Sequence, residues 1–257
     1  MDKIKPITKD EFNVLAAKLG FNLELLIKDY YLTLLLFHLS KVKGLYFKGG
    51  TALNKLYLSN PRLSEDIDFT VKGKLKDIEK QIRKIVSIMP DFNKVTHDKK
   101  VSHFTRLIVH YSKEDIKGSI IIDLNSKAKL LLKPEIKDFK HFYPEFIPKF
   151  TVATLNSKEL IAEKICALIQ RYAPRDYYDV YNIINEKLPI DIKLIKKKFK
   201  ASNEEYSVER IFKRGSKIYS KWESDLLPLT RTKPSFQEVI SVLAKYFKYK
   251  EKKPKKT

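Results

Sequence analysis

The amino-acid sequence predicts an α+β protein in which a small mixed sheet flanked by helices is followed by a helical C-terminal domain. Two observations lead to this prediction: short apolar runs typical of strands alternate with amphipathic segments up to about residue 150, and helical periodicity dominates after that point. A hydrophobic content of 43% in 257 residues is sufficient for packed cores. We therefore expect one domain over residues 1–150, a second over 151–250, and a basic, disordered tail at 251–257.

The N-terminal part of the chain supplies helices and a first strand. Residues 9–16 open an amphipathic helix, and residues 25–39 form a longer and more apolar one. Residues 42–47 are typical of a short strand, and residues 52–58 of the helix after it. The two N-terminal helices are expected to cover the sheet.

The remaining elements follow from apolar runs and their punctuation. A proline-rich connector at 134–148 has no clean periodicity, and we expect it to lead to the second domain, with a cleft between the two domains. The other predicted elements are a strand at 66–71, a helix at 75–89 ended by Pro90, an antiparallel pair of strands at 104–111 and 119–124, a helix at 158–172 and a further helix from Pro174.

A pair of glycines between the first strand and the helix after it forms a candidate phosphate cradle. Gly49, Gly50 and Thr51 stand where backbone N–H groups can face an anion without obstruction by Cβ atoms. The P-loop pattern is not met, since Gly50 occupies the position of the phosphate-binding lysine. Two glycines before a helix are, taken alone, more often an ordinary turn.

Two aspartates follow the cradle in the next strand. Asp66 and Asp68 are two residues apart, so in an extended strand both point to one face while Ile67 and Phe69 point into the core. Carboxylate pairs of this kind bind Mg²⁺ together with substrate phosphates, and two such ions can assist a phosphoryl transfer. The pairing of these acids with the cradle predicts metal-assisted chemistry on a nucleoside triphosphate (NTP).

Asp123 is the candidate for a third carboxylate. It interrupts the apolar strand that begins at Ile120, and such a strand has little reason to carry an acid unless its end opens on a polar site. An acid here can bind a second metal ion or act as a general base. The alternative is that Asp123 only caps the strand and is solvated.

These motifs together resemble a known family. The motifs that carry the resemblance are Lys48-Gly49-Gly50-Thr51-Ala52-Leu53, Arg62-Leu63-Ser64-Glu65-Asp66-Ile67-Asp68-Phe69, the helix beginning Lys28-Asp29-Tyr30-Tyr31, Glu163-Lys164-Ile165-Cys166 with Arg171, and Pro174-Arg175-Asp176-Tyr177-Tyr178-Asp179. In this combination the chain resembles the AbiEii/AbiGii group of abortive-infection nucleotidyltransferase toxins, within the polymerase-beta-like nucleotidyltransferase superfamily. The resemblance implies a nucleotidyltransferase fold and a toxin that modifies RNA, at tRNA 3′ ends, and is neutralised by a separate antitoxin.

The resemblance also adds site residues in the second half of the chain. Lys164 and Arg171 lie seven residues apart on one helix, so both can reach one elongated anion such as a triphosphate. Each alone is more often a surface cation. The family's active-site acid corresponds to Asp176, with Asp179 carrying less weight, and Asp176 could instead pair with Arg175. Weaker candidates are Lys158, Arg62 and Ser64.

Charge and composition indicate the partners. A formal charge of +21 draws in polyanions, which favours nucleic acid, although lysine-rich surfaces also serve solubility alone. The surplus is densest at 193–200 and 245–256. A single cysteine, Cys166, on an apolar helix predicts a buried thiol and a reducing compartment. With no run of apolar residues long enough for a signal peptide or a membrane span, we expect a cytoplasmic protein.

The sequence thus predicts a Mg²⁺-dependent nucleotidyltransferase that moves a nucleoside monophosphate from an NTP to RNA. Asp66, Asp68 and Asp123 would bind metal, Gly49, Gly50, Thr51, Lys164 and Arg171 would hold the phosphates, and Asp123 or Asp176 would assist deprotonation. The alternatives are a transferase acting on a protein or small molecule, a catalytically silent nucleic-acid-binding module, and a metal-dependent nuclease. The sequence does not fix the oligomeric state.

Overall fold

Residues 4–213 and 215–249 are described by the structure, a computed structural model. The chain divides into two compact units, Met1–Leu160 and Ile161–Thr257. The sequence placed this boundary after residue 150. The later position follows from a short strand, Thr151–Thr154, which pairs within the sheet of the first unit.

The predicted N-terminal helices are present as α1 (Lys9–Leu19) and α2 (Leu23–Leu39). A capping box starts α1: Thr8 Oγ1 accepts a hydrogen bond from the Glu11 N–H at 3.3 Å, and the Thr8 N–H donates to Glu11 Oε2 at 2.7 Å. Gly20, with φ of 71°, ends the helix in the left-handed conformation. These local signals explain why the sequence alone predicts α1.

Seven strands form one mixed sheet. Its strands are β1 (Leu45–Lys48), β2 (Asp66–Val71), β3 (Phe92–Val101), β4 (Phe104–Lys113), β5 (Ile116–Asn125), β6 (Glu135–Asp138) and β7 (Thr151–Thr154). Their order is β3-β4-β5-β2-β1-β7-β6. The pairs β2/β5 and β1/β7 are parallel and the other four are antiparallel, which confirms the predicted antiparallel pairing of β4 with β5.

One face of this sheet builds the core. Ile67 and Phe69 of β2 are buried, as predicted, and Ile122 and Leu124 of β5 are buried beside them. Helix α2 packs on β5, and α4 (Leu75–Val86) packs on β3 and β4. Helix α3 (Gly49–Leu56) packs on β1 and β2. The opposite side chains of β2, β4 and β5 therefore form the polar face on which the candidate site lies.

Three strands were not predicted. β3 is an edge strand with a mostly exposed, polar sequence, so it lacks the apolar alternation by which half-buried strands are recognised. β6 and β7 are four residues long, and β6 falls in the connector at 134–148. The helix predicted to reach residue 89 ends at Val86, and the strand predicted from residue 42 begins at Leu45.

The second unit is helical, as predicted, and α5 crosses the boundary between the units. Its helices are α5 (Ser157–Gln170), α6 (Pro174–Asn185), α7 (Ile192–Ala201), α8 (Glu209–Phe212), α9 (Gly215–Tyr219), α10 (Trp222–Asp225), the 3₁₀ turn Leu227–Leu229 and α11 (Phe236–Tyr246). Within this unit α11 and α10 pack on α6. Cys166 is a buried thiol, as predicted, and burial raises its pKa to about 12. The predicted tail at 251–257 lies outside the described residues.

No helix among the described residues is both long and apolar enough to cross a membrane.

A buried ion pair connects several elements of the first unit. Lys55 Nζ of α3 lies 2.7 Å from Asp29 Oδ2 of α2, and both side chains are 0% exposed. The Tyr143 hydroxyl lies 3.0 Å from Asp29 Oδ2, and the backbone N–H of Ser64 donates to Asp29 Oδ1 at 3.4 Å. One carboxylate therefore holds a helix, a connector and the segment that leads into β2.

Replacing Lys55 with methionine should be strongly destabilising. The change keeps much of the side-chain volume but leaves the Asp29 carboxylate buried without its cation, which costs about 3–5 kcal/mol. The free energy of unfolding in urea measures the effect. The exposed Lys43→Met variant is the matched control and should cost less than about 0.5 kcal/mol.

The double variant Asp29→Asn/Lys55→Met separates charge from packing. It removes both charges, so it should recover a large part of the stability that Lys55→Met loses. If Lys55→Met costs no more than Lys43→Met, the ion pair does not have this role.

Candidate active site

Two carboxylates project from β2 on the face of the sheet opposite the core. Asp66 and Asp68 alternate with the buried residues Ile67 and Phe69, and both are half-buried. In the register of the sheet, Asp68 lies opposite Lys48 of β1. The two acids thus share one polar face, as the spacing predicted.

The third predicted acid lies beside them. β2 and β5 are parallel neighbours with Asp68 in register with Asp123, so the two side chains are on the same face. Arg106 of β4 is in register with Asp123 on its other side. Its Nε and Nη2 atoms donate to Asp123 Oδ1 and Oδ2 at 2.7 and 2.8 Å.

The Arg106–Asp123 pair was not predicted. The sequence does place Arg106 on the polar face, because Arg106 alternates with the apolar Leu107 in β4. It does not identify the partner of Arg106, which depends on the register between strands. The hydrogen bonds from Arg106 to Asp123 raise the pKa of Arg106 above its ordinary value. The pair is charge-assisted and bidentate, which fixes the orientation of Asp123.

Gly49 allows α3 to approach the acids closely. Its φ is 77°, and a Cβ atom at this position would lie 2.1 Å from Asp68 Oδ2. Such a distance is far inside van der Waals contact, so only glycine permits this arrangement. The sequence placed the glycines before the helix, but α3 already begins at Gly49, so both glycines belong to its first turn.

Thr51 and Gly50 make contacts within the protein. Thr51 is buried, and its hydroxyl donates to the carbonyl oxygen of Asp66 at 2.6 Å. The carbonyl of Gly50 accepts from Asn54 Nδ2 at 2.8 Å. Thr51 thereby links the first turn of α3 to the start of β2, and in this arrangement its hydroxyl is used to position Asp66.

The donor atoms on this face fit a magnesium ion that is completed by a substrate. Among the described residues, no three His, Cys, Asp or Glu side chains are grouped as a metal site, and both oxygens of Asp123 are bound to Arg106. Asp66 and Asp68 supply two hard carboxylate ligands, and Mg²⁺ is commonly held by one or two carboxylates plus phosphate oxygens. The face therefore fits one such ion better than a preformed two-metal cage.

A second charged cluster lies in the helical unit. Lys164 Nζ of α5 is 2.8 Å from Asp176 Oδ1 and 2.9 Å from Asp179 Oδ2, both on α6. Arg171 Nε and Nη2 donate to the two oxygens of Asp176 at 2.6 and 3.0 Å. Lys164 is 5% exposed, whereas the side chain of Arg171 is 63% exposed.

This cluster gives the predicted cations a common partner. The sequence placed Lys164 and Arg171 along one side of a helix, and in the structure both bind the carboxylate of Asp176. Burial alone would raise the pKa of Asp176, but Lys164 and Arg171 outweigh it and hold that pKa below the ordinary value. Asp176 therefore remains ionised at neutral pH.

The weaker candidates occupy structural positions. Arg62 is buried, and its Nη1 donates to the carbonyl of Leu63 at 3.0 Å. Ser64 is buried in the segment held by Asp29. The backbone N–H of Lys158 donates to Asn156 Oδ1 at 3.1 Å at the start of α5.

Comparison with known proteins shows which family the chain matches. The family model described as nucleotidyl transferase AbiEii toxin, type IV toxin–antitoxin system, matches residues 34–242. No curated protein gives a significant sequence match.

Two solved structures share the fold. MenT4, a nucleotidyltransferase toxin from Mycobacterium tuberculosis, superimposes with a TM-score of 0.70 at 20% identity, covering 94% of this chain and 89% of MenT4. JHP933 from Helicobacter pylori gives 0.59 at 18% identity, covering 87% of this chain and 90% of JHP933. The predicted nucleotidyltransferase fold is confirmed.

Gly49→Ala should destabilise the protein by more than the cost of placing an alanine at a positive φ, because its Cβ atom would also collide with Asp68. Gly20 is the matched control, because its φ of 71° is similar but a Cβ atom there meets nothing within 4 Å. We expect about 1 kcal/mol for Gly20→Ala and at least about 2 kcal/mol for Gly49→Ala, measured as the free energy of unfolding. Equal losses would mean that Asp68 moves aside without cost.

Asp176→Asn should destabilise the protein in a pH-dependent way. Because the folded-state pKa of Asp176 is lowered, its ionised form contributes stability above the unfolded-state pKa, and this contribution is lost as pH falls toward the folded-state pKa. We expect a loss of about 1–3 kcal/mol at pH 7 that shrinks below about pH 4. Unfolding in urea across this pH range measures it.

The exposed Glu205→Gln variant is the control for Asp176→Asn and should change stability little at any pH. A loss for Asp176→Asn that does not vary with pH would show that packing, and not the charge, is responsible.

Proposed function

Since the chain belongs to the AbiEii family of nucleotidyltransferase toxins of type IV toxin–antitoxin systems, we propose that it transfers a nucleoside monophosphate from an NTP to the 3′ end of an RNA, with tRNA as the acceptor. The observation that carries this proposal is the polar sheet face on which Asp66, Asp68 and Asp123 occupy neighbouring positions. Family membership gives the type of reaction. We propose the NTP as the donor, Mg²⁺ as the metal ion and RNA as the acceptor.

The proposed reaction is a displacement at the α-phosphorus. The acceptor hydroxyl oxygen forms a bond to the α-phosphorus, the bond from that phosphorus to the bridging oxygen breaks, and pyrophosphate leaves with that electron pair. The hydroxyl proton passes to a general base. When bound by Asp66 and Asp68, Mg²⁺ would neutralise phosphate charge.

The residues of the sheet face orient the substrates. Gly49 brings the first turn of α3 next to Asp68, so the backbone N–H groups of that turn are placed for the β- and γ-phosphates of the same NTP. Thr51 holds Asp66 through the backbone of β2. These contacts hold the acids in fixed positions. Holding the reacting groups in the correct geometry lowers the barrier to such a transfer.

Asp123 is the preferred general base of the three candidates. Asp176 and Asp179 are buried against Lys164, so neither carboxylate is accessible to a substrate hydroxyl. Asp123 lies on the polar face beside Asp68, where Arg106 orients it. The proposal gives Arg106 a positioning role and does not require Asp123 to bind a second metal ion.

In the second unit, the proposal assigns different roles to the two cations. Lys164 is buried between two carboxylates, so it holds Asp176 and Asp179 in place. Arg171 is mostly exposed and anchored by Asp176, so its guanidinium can meet a phosphate arriving from solvent.

The basic surface supports RNA as the acceptor. Helix α7 buries Leu194, Ile195 and Phe199 and exposes lysines on its other side, at 193, 196, 197 and 200. Together with the formal charge of +21 on the whole chain, this lysine-rich surface suits a polyanion. A cognate antitoxin and a cytoplasmic location complete the proposal, in keeping with the toxin–antitoxin family.

The test is transfer of label from each α-³²P NTP to total RNA in the presence of Mg²⁺. The wild type should label RNA of tRNA size, and Asp66→Asn/Asp68→Asn should reduce the initial rate on the order of 10³-fold, because the charges that hold the ion are lost. Chelation of the metal should abolish labelling.

The matched control is Asp115→Asn, which changes an exposed acid in the turn between β4 and β5 and should retain the wild-type rate. Label in protein would redirect the proposal to another acceptor, and shortened RNA without label would indicate a nuclease. Equal labelling by the wild type and the double variant would refute the assigned site.

A further inference from the structure

We propose that the part of the sheet face formed by β4 and β5 beside Asp123 binds the unpaired 3′ end of the acceptor RNA, with the terminal base stacked on the ring of Phe104. This inference rests on the proposed function, because it concerns the acceptor side of the same site. Phe104 pairs with Asn125 in the register of β4 and β5, and Arg106 pairs with Asp123 in the next position on the same face. Diagonal neighbours of this kind lie about 7–8 Å apart, so one nucleotide can bridge Phe104 and Asp123.

The ring of Phe104 is available for stacking. Phe104 is half-buried, and within the described residues its ring contacts no other aromatic ring. The guanidinium carbon of Arg106 lies over it, 6.0 Å from the ring centroid. Val101, the partner of Phe104 in β3, is 53% exposed, so solvent reaches this end of the face. Aromatic rings on sheet faces stack unpaired bases in many RNA-binding proteins, and guanidinium groups contribute to such stacks.

Apolar side chains also border Asp123 on the side away from Phe104. Ile108 of β4 and Ile121 of β5 are register partners, and they occupy the next position on this face after Arg106 and Asp123. Both isoleucines are half-buried. Apolar surface around a few polar groups is typical of sites that bind small organic groups, and here it suits the flat faces of a sugar and a base.

The order of the strands separates the two substrates. The triphosphate is proposed to lie over β1 and β2, where Gly49 brings the first turn of α3 to Asp68. β5 and then β4 follow β2 in the sheet, each about 4.8 Å from its neighbour. Asp123, the proposed general base, therefore stands between the donor side and Phe104. A base stacked on Phe104 belongs to the nucleotide whose hydroxyl meets Asp123.

The charge along the edge of this face fits a nucleic-acid backbone. Lys94 and Lys99 of β3 are exposed, and they are the register partners of His110 and Arg106, so they lie on the same face. Asp98, at a bulge of β3, lies 3.7 Å from Arg106 and offsets part of this charge. The cations of β3 position the phosphates of the preceding nucleotides, and stacking holds the terminal base with little preference for its identity.

The experiment uses a short single-stranded RNA that carries the fluorescent base 2-aminopurine at its 3′ terminal position, without NTP or metal ion. Stacking quenches this fluorescence, so binding to the wild type should quench it strongly. Phe104→Leu keeps an apolar side chain but removes the ring, and it should lose most of the quenching and weaken binding about tenfold. Phe104→Tyr restores the ring and should keep the affinity within about twofold of the wild type.

The matched control is Tyr46→Leu, which removes a half-buried ring from the same sheet face on the donor side. Tyr46 of β1 is the register partner of Thr70, which follows Asp68 by two residues in β2. Tyr46→Leu should change the quenching and the affinity for RNA by less than about twofold. Equal losses in Tyr46→Leu and Phe104→Leu would show that no defined base site exists, and wild-type quenching in Phe104→Leu would overturn the proposal outright.

The position of the fluorescent base shows which substrate the ring contacts. With 2-aminopurine three nucleotides inward from the 3′ end, quenching should be weak. Strong quenching there would place an internal base on Phe104, and the terminal-base proposal would be wrong. If Phe104 quenches 2-aminopurine riboside triphosphate instead of the RNA, the ring holds the donor base, and the acceptor assignment is refuted.

Two measurements keep this inference apart from the proposed function. Asp66→Asn/Asp68→Asn should lose transfer but retain the quenching that depends on Phe104. In the transfer assay, Phe104→Leu should raise KM for RNA with little change in kcat, because stacking is present equally in the ground state and the transition state. If the wild type transfers no label but its quenching still depends on Phe104, the proposed reaction fails while the RNA contact stands.

Discussion

The buried ion pair between Asp29 and Lys55 is the constraint on which the arrangement of Asp66 and Asp68 on the polar face of the sheet depends. A charge in a fully buried position is tolerated only with its partner in place, so the pair requires α2 and α3 to keep one relative position. The same carboxylate holds Ser64, two residues before Asp66, and the connector at Tyr143. Elements that are distant in sequence are thus brought to one point, and the first turn of α3 and the start of β2 are fixed next to each other.

Each of the two units contains an aspartate whose charge is balanced by a bidentate arginine. In each, an arginine binds both oxygens of an aspartate: Arg106 holds Asp123, and Arg171 holds Asp176. Bidentate pairs of this type keep the acid ionised and fix its plane. The difference lies in the surroundings. Asp123 stands on a partly open sheet face, whereas Asp176 is buried and also bound by Lys164, which makes it a rigid structural anchor for the exposed Arg171.

The parts of this fold that the sequence could predict are those with a local signal. The capping box at Thr8, the alternation of Asp66, Ile67, Asp68 and Phe69, and the apolar runs of β4 and β5 all depend on neighbours in the chain. β3 could not be found because its residues are polar and exposed. The register that sets Asp123 beside Asp68, and the partners of Arg106 and Lys164, depend on long-range pairing, which spacing along the chain does not determine.

The exposed edge of the sheet has a consequence for how the protein behaves at high concentration. β3 has ten residues, and its outer hydrogen-bonding edge is not paired with another strand of the described sheet. The unpaired backbone groups of a long edge strand can form hydrogen bonds with a strand of a second molecule. Here Lys94, Lys99 and Lys100 are exposed along that strand, so two copies aligned edge to edge would bring like charges together. Mutual repulsion at this edge opposes fibre-like self-association, and the bulges of β3 make its edge irregular as a template.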